Sequence, residues 1–155
     1  MGCAQGGGMR LTFTKRGGKH DDLAIERPDG PAETIQCPKQ GIIPHDMVHF
    51  AVESGLGHRG FLGMVAEGQA AQFATQGGDS EEAIERLVEC FQAEMWGGRV
   101  PAEELLATYK LACEARGHPP AAVSIAEVDG IRARLDELTG EWAAVPVNGS
   151  LTVEF

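Results

Sequence analysis

"RLTFTKRGGKHDDLAIERPDGPAETIQCP", residues 10–38, decides the fold class, because its apolar residues recur at every second position. "MRLTFTKR" (9–16) alternates apolar and polar side chains, the pattern of a strand with one face in a core. "GGK" turns the chain, and "DDLAIER" (21–27) supplies a second strand. In "PDGP" proline fixes φ and Asp-Gly offers a positive-φ position, so a second turn follows. "AETIQCP" (32–38) reads as a third strand, ended by its proline. Three short strands joined by tight turns predict an antiparallel meander.

Beyond residue 41 the period changes to that of helices. Pro44 can sit in the first turn of a helix running to about Ser54, with Gly55 or Gly57 as its left-handed stop. "GFLGMVAEGQAAQFA" (60–74) is ambiguous: its glycines lower helix propensity, while Phe61, Leu62, Val65 and Phe73 favour burial. "DSEEAIERLVECFQAEMWGG" (79–98) has a capping box at Asp79 and Glu82. Its apolar stripe is Ile84, Leu87, Val88, Phe91 and Met95, and Gly97 closes it. "PAEELLATYKLACEARG" (101–117) starts with proline at its first helical position and ends at Gly117, burying Leu105, Leu106, Tyr109 and Cys113. "SIAEVDGIRARLDELTG" (124–140) carries the box Ser124/Glu127 and the stripe Val128, Ile131, Leu135 and Leu138.

The tail, "EWAAVPVNGSLTVEF" (141–155), places two short apolar runs around Asn-Gly, a hairpin signal. Pro146 confines the first of those strands to an edge or an end. Strands, then helices, then strands give an α+β class: an N-terminal antiparallel meander, central helices and a C-terminal β-hairpin. The expected layout is a disordered, glycine-rich leader over 1–8 and one α+β domain over 9–155, with meander and hairpin in one sheet and helices on one face.

At 155 residues the chain suits one domain with a sizeable core. The net charge of −10 is uneven, about +1 over residues 1–41 and −11 over the remainder. Such a surface repels phosphate backbones, so neither nucleic acid nor an anionic membrane is expected as a partner. No apolar run is long enough to span a bilayer and no signal-peptide layout opens the chain, so a cytoplasmic location is expected. Cys3, Cys37, Cys90 and Cys113 include no Cys-x-x-Cys pair, which argues against a zinc ribbon or a thioredoxin-type motif. "GLGHRG" (55–60) satisfies Gly-x-Gly-x-x-Gly, but a helix precedes it where dinucleotide binding needs a strand.

The candidate site lies in "GIIPHDMVHFAVESGLG" (41–57), which holds two of the five histidines. On a helix wheel at about 100° per residue, His45, His49, Glu53 and Asp46 fall in one narrow polar stripe. Met47, Val48, Phe50, Ala51 and Val52 fill the rest of the circumference. A plain solvent face draws on Lys, Arg and Gln as well. This stripe contains only metal-ligand and proton-transfer types. Histidines one turn apart can share one Zn²⁺, whereas His45 and Glu53 lie about 12 Å apart along the axis. The metal ligands expected are therefore His45 and His49, or His49 and Glu53, completed by a group from His20, Asp21, Asp22 or His58. Asp46 and Glu53 are the candidate catalytic carboxylates. The cofactor, if one is bound, would be a divalent metal such as zinc.

"HDMVH" (45–49) resembles the His-Glu-x-x-His helix of zinc metalloproteases, which implies ligand places for His45 and His49 and the general-base place for Asp46. Asp stands where that family has the longer Glu. The run "IPHDMVHFAVESGLG" (43–57) with "GFLGMVAEG" (60–68) is similar to a family of small bacterial proteins with a Pro-His-Asp-apolar-Val-His core and no established activity. That resemblance implies that 41–68 is one unit and carries no catalytic residue across.

Three function classes follow. The first is a small metal-dependent enzyme of the hydrolytic kind, with His45 and His49 holding the ion and Asp46 or Glu53 as base or as the group that orients a ligand. The second is a non-catalytic interaction module using 60–75 to contact a partner or a second copy. The third is a small-molecule-binding domain with a pocket between sheet and helices.

Overall fold

The computed structural model describes residues 8–28, 30–39, 42–57 and 79–155. Strands form where the alternation predicts them: β1 (Arg10–Thr14), β2 (His20–Glu26) and β3 (Glu33–Pro38). They pair antiparallel, with Leu11 opposite Ile25 and Phe13 opposite Leu23, so the large apolar residues share one face. All four of these side chains are fully buried, each worth about 1.5–3 kcal/mol relative to exposure. The opposite face carries short polar pairs, Thr12 with Thr152 and Thr14 with Ser150. Met9, just outside the leader, is buried with the core, while residues 1–7 lie outside the described part of the chain.

The helices are α1 (His45–Gly55), α2 (Asp79–Gly97), α3 (Ala102–Arg116) and α4 (Ile125–Ala144). Both Pro44 and Pro101 stand at the N-cap, just before the first turn expected of Pro44 and the first helical position expected of Pro101. Gly57, at φ +78°, follows α1, and Gly117, at φ +77°, caps α3. The Ser124/Glu127 capping box is present in both directions, at 2.9 and 3.1 Å. The side chain of Asp79 and the whole of 58–78, with His58 and the 60–75 stretch, lie outside the described residues.

The C-terminus differs from expectation. It contributes one strand, β4 (Ser150–Glu154), and no hairpin. Residues 141–144 continue α4, because Trp142 extends the buried stripe of Val128, Ile131, Leu135 and Leu138 by one more turn. Burial of that indole outweighs both the glycine at 140 and the local hairpin signal. Asn148 and Gly149 still make a tight turn, with Asn148 at φ +70°. The turn hands the chain from helix to sheet, where β4 pairs antiparallel with β1. The sheet order is β3-β2-β1-β4.

The resulting α+β fold places α1 against α2, α4 and the edge strand β3. Residues 47–53 of α1 are all buried, so its polar stripe cannot be a solvent face. Among the described residues, no helix is long and apolar enough to cross a membrane.

Candidate metal centre

The stripe on α1 turns toward α2. His45, His49 and Glu53 recur every fourth residue and so stack on one face of α1. Glu85 and Gln92, seven residues and so two turns apart, share the facing side of α2 beside its apolar stripe. Apolar packing of the two helices therefore clamps five polar side chains into one interface.

Each imidazole is held at both ring nitrogens. His49 Nδ1 lies 2.8 Å from Glu53 Oε2, and His49 Nε2 lies 3.1 Å from Glu85 Oε1. His45 Nδ1 donates to Gln92 Oε1 at 2.8 Å, and its Nε2 lies 3.3 Å from Glu85 Oε2. The rings meet edge to face with centroids 4.8 Å apart. Both Nε2 atoms thus converge on one carboxylate. Glu53 has no exposure and His49 only 3%, while His45 and Glu85 keep 28% and 30%, so the centre is sealed on one side and reachable on the other.

These contacts set the charges. Burial opposes protonation of His49, but hydrogen bonds to Glu53 and Glu85, with their charges, outweigh it and raise its pKa to about 10. Burial also opposes the charged form of His45, yet the hydrogen bond to Glu85 prevails over it and over repulsion from His49, and the pKa rises. Burial would push the Glu85 carboxyl up, but its hydrogen bonds to both histidines hold it well below the usual carboxylate range.

His45, His49 and Glu85 each offer a ligand atom within 4.8 Å of the others. Around a tetrahedral ion at ~2.0–2.1 Å, ligand atoms stand about 3.3 Å apart. The His45 and His49 Nε2 atoms lie 3.3 and 3.1 Å from different oxygens of Glu85, so the three groups surround one point but would have to shift to share an ion through a single carboxylate oxygen. The donor set of two imidazoles and one carboxylate suits catalytic zinc and also non-haem iron(II).

The structure unites three of the four residues singled out from the sequence. Asp46 is elsewhere: its Oδ2 accepts from the Cys37 Sγ–H at 3.2 Å, tying the start of α1 to β3. Burial and that acidic neighbour push the Cys37 thiol up, away from thiolate chemistry. Among the described residues the other third-ligand candidates are held elsewhere, and His58 lies outside those residues. Asp21 accepts from the Arg16 backbone at 2.8 Å, Asp22 pairs with Arg16 at 2.7 Å, and His20 is exposed at the start of β2. Glu85 and Gln92 were missed; their spacing of seven beside the α2 stripe was the available signal. No protein-family model, curated protein or solved structure matches the chain.

Proposed function

We propose that the protein binds one divalent metal ion through His45 Nε2, His49 Nε2 and the Glu85 carboxylate. The observation carrying this reading is the orientation of the imidazoles. Each donates or offers Nδ1 to a second group, Glu53 or Gln92, and presents Nε2 to the Glu85 carboxylate, the arrangement that metal-bound histidines adopt. Three protein ligands would leave a coordination position for water, whose pKa a zinc ion lowers toward neutrality. The function that follows is metal-dependent hydrolysis, with Glu53 as the group that orients His49 rather than as a base, and with Asp46 outside the centre.

The test is elemental analysis of untagged protein purified without chelator, beside His45→Ala and Glu85→Gln. Near-stoichiometric zinc, iron or manganese, lost in both variants, is the expected result, and the metal found separates a zinc from an iron centre. Protein that stays metal-free after incubation with each ion sinks the reading.

A second reading rests on the same closure. With both rings charged, Glu53 and Glu85 hold His45 and His49 in an ionic network that locks α1 to α2. Thermal stability that is indifferent to zinc and to chelator would select it.

A further inference from the structure

We propose that β4 is the pairing edge of a symmetric dimer, in which a second copy of this chain adds its own β4 antiparallel to the first, centred on Thr152. β4 stands last in the sheet order, and among the described residues no strand pairs with its outer side. The Lys15 N–H donates to the Gly149 carbonyl at 2.9 Å, and the Phe155 N–H to the Met9 carbonyl at 2.7 Å. Antiparallel bonding alternates, so Leu151 and Val153 also turn their backbone groups to β1, while Ser150, Thr152 and Glu154 turn theirs outward. The other sheet edge is blunted. There the Lys39 N–H donates inward to the Lys19 carbonyl, which by the same alternation sets Pro38 at an outward position with no N–H to give. β4 has neither proline nor lysine to guard it.

The sequence of β4 selects a copy of itself as the occupant. A two-fold interface must match its own residues in reverse order. About Thr152, Ser150 meets Glu154 of the second copy and Thr152 meets its own counterpart, each pair exchanging both backbone hydrogen bonds. Leu151 then faces Val153 of the second copy in the narrow pair, where side chains come closest. Both stand on the core side, opposite Phe13 and Leu11, and Leu151 is only half-buried within one chain, so pairing continues the core across the edge. On the other face the hydroxyl row of Thr12 and Thr152 runs on into the second copy. The charges agree: Glu154, the one charge on the strand, is matched by Arg10 at 3.0 Å and meets a serine rather than a second carboxylate. The contact between copies expected from the sequence lies in 60–75, outside the described residues, and this edge is a separate surface.

The test is sedimentation equilibrium of the full chain in chelator, at about 0.15 M salt to screen the repulsion between chains of charge −10. Mass should rise with concentration from one chain to two and no further. Thr152→Pro removes the central outward donor without breaking the β1 ladder, and should hold the protein at one chain's mass at every concentration. Thr152→Cys places a thiol on the two-fold axis, about 5.5 Å Cα to Cα from its counterpart and within disulfide reach. Under diamide it should give a covalent dimer beyond the wild-type background, whereas Thr34→Cys, at an outward position of β3, should not. A wild-type chain that stays single throughout, or dimerisation undiminished in Thr152→Pro, overturns the proposal. Should Thr152→Pro fail to fold, a dimer that Thr152→Cys does not cross-link overturns it equally, as does growth beyond two chains.

Discussion

Glu53 Oε2 sits 2.8 Å from His49 Nδ1, one helical turn away, and both side chains are withdrawn from solvent. This pair gives His49 two roles, holding a buried carboxylate and presenting Nε2 to Glu85. Removing one partner of a buried ion pair costs about 3 kcal/mol or more. His49→Ala should therefore lower stability by about 3 kcal/mol in chemical denaturation, whereas His45→Ala, at a more exposed ring, should cost about 1 kcal/mol. Equal costs for the two would contradict the buried pair. Loss of metal in His49→Ala alone would be ambiguous, which is why His45 and Glu85 carry the metal test.

Glu53→Gln isolates the orienting role, because it keeps the shape and an acceptor oxygen while removing the charge. Groups that orient a ligating histidine are worth about 10- to 100-fold in metal affinity. Zinc affinity, measured by competition with a chromophoric chelator, should fall by about tenfold in this variant. An unchanged affinity would remove Glu53 from the metal centre.

Opposite pH dependences are expected with and without metal. His49 is raised from 6.5 to about 10, so its contribution to metal-free stability is full below pH 6.5 and is lost as pH rises toward 10. Glu85 is lowered from 4.5, so its contribution is full above pH 4.5 and is lost as pH falls toward its depressed folded value. Metal-free protein should gain most from these groups between pH 4.5 and 6.5. Metal binding needs neutral imidazoles and so releases protons. The rise in Tm caused by zinc should grow as pH increases above 6.5, as seen by melting curves with zinc and with chelator. A zinc effect that shrinks over that range would argue against imidazole ligation.

The α1 stripe was legible because its composition, His, Asp, His and Glu, differs from an ordinary solvent face. Its direction was not, since whether a polar stripe faces water depends on a helix about thirty residues further on. Glu85 and Gln92 read locally as surface residues of an amphipathic helix; only the α1–α2 packing makes them partners of the histidines. The meander was legible for the opposite reason: alternation and turn chemistry are both local. At the C-terminus Asn148-Gly149 marked a turn correctly, but the burial of Trp142, a tertiary effect, turned the expected first strand into helix.

Asp46 and Glu85 are expected to separate cleanly. Asp46 meets Cys37 rather than the histidines, so Asp46→Asn should leave zinc affinity unchanged. It should cost about 1 kcal/mol of stability, from a weakened hydrogen bond and a lost charge at the N-terminus of α1. Glu85→Gln should abolish binding. A parallel loss of affinity in Asp46→Asn would restore the general-base placement that the resemblance to metalloproteases implies.

Gly55 marks the close approach of α1 to α4. A Cβ there would stand 2.7 Å from Ile131 Cγ1 on α4, closer than packed carbons allow. Gly55 lies inside α1, and Gly57 takes the left-handed turn, so the glycine at 55 is required by helix approach and not by φ. Gly55→Ala must push α1 away from α4 or shift a fully buried isoleucine, at about 1–3 kcal/mol for overpacking. Pairing it with Ile131→Ala, which removes the obstructing Cγ1, should cost less than the sum of the two single losses, because the two sites share one contact. The check is a double-mutant cycle in urea. Strict additivity would show that the close approach of α1 and α4 at this point does not govern the stability of the fold.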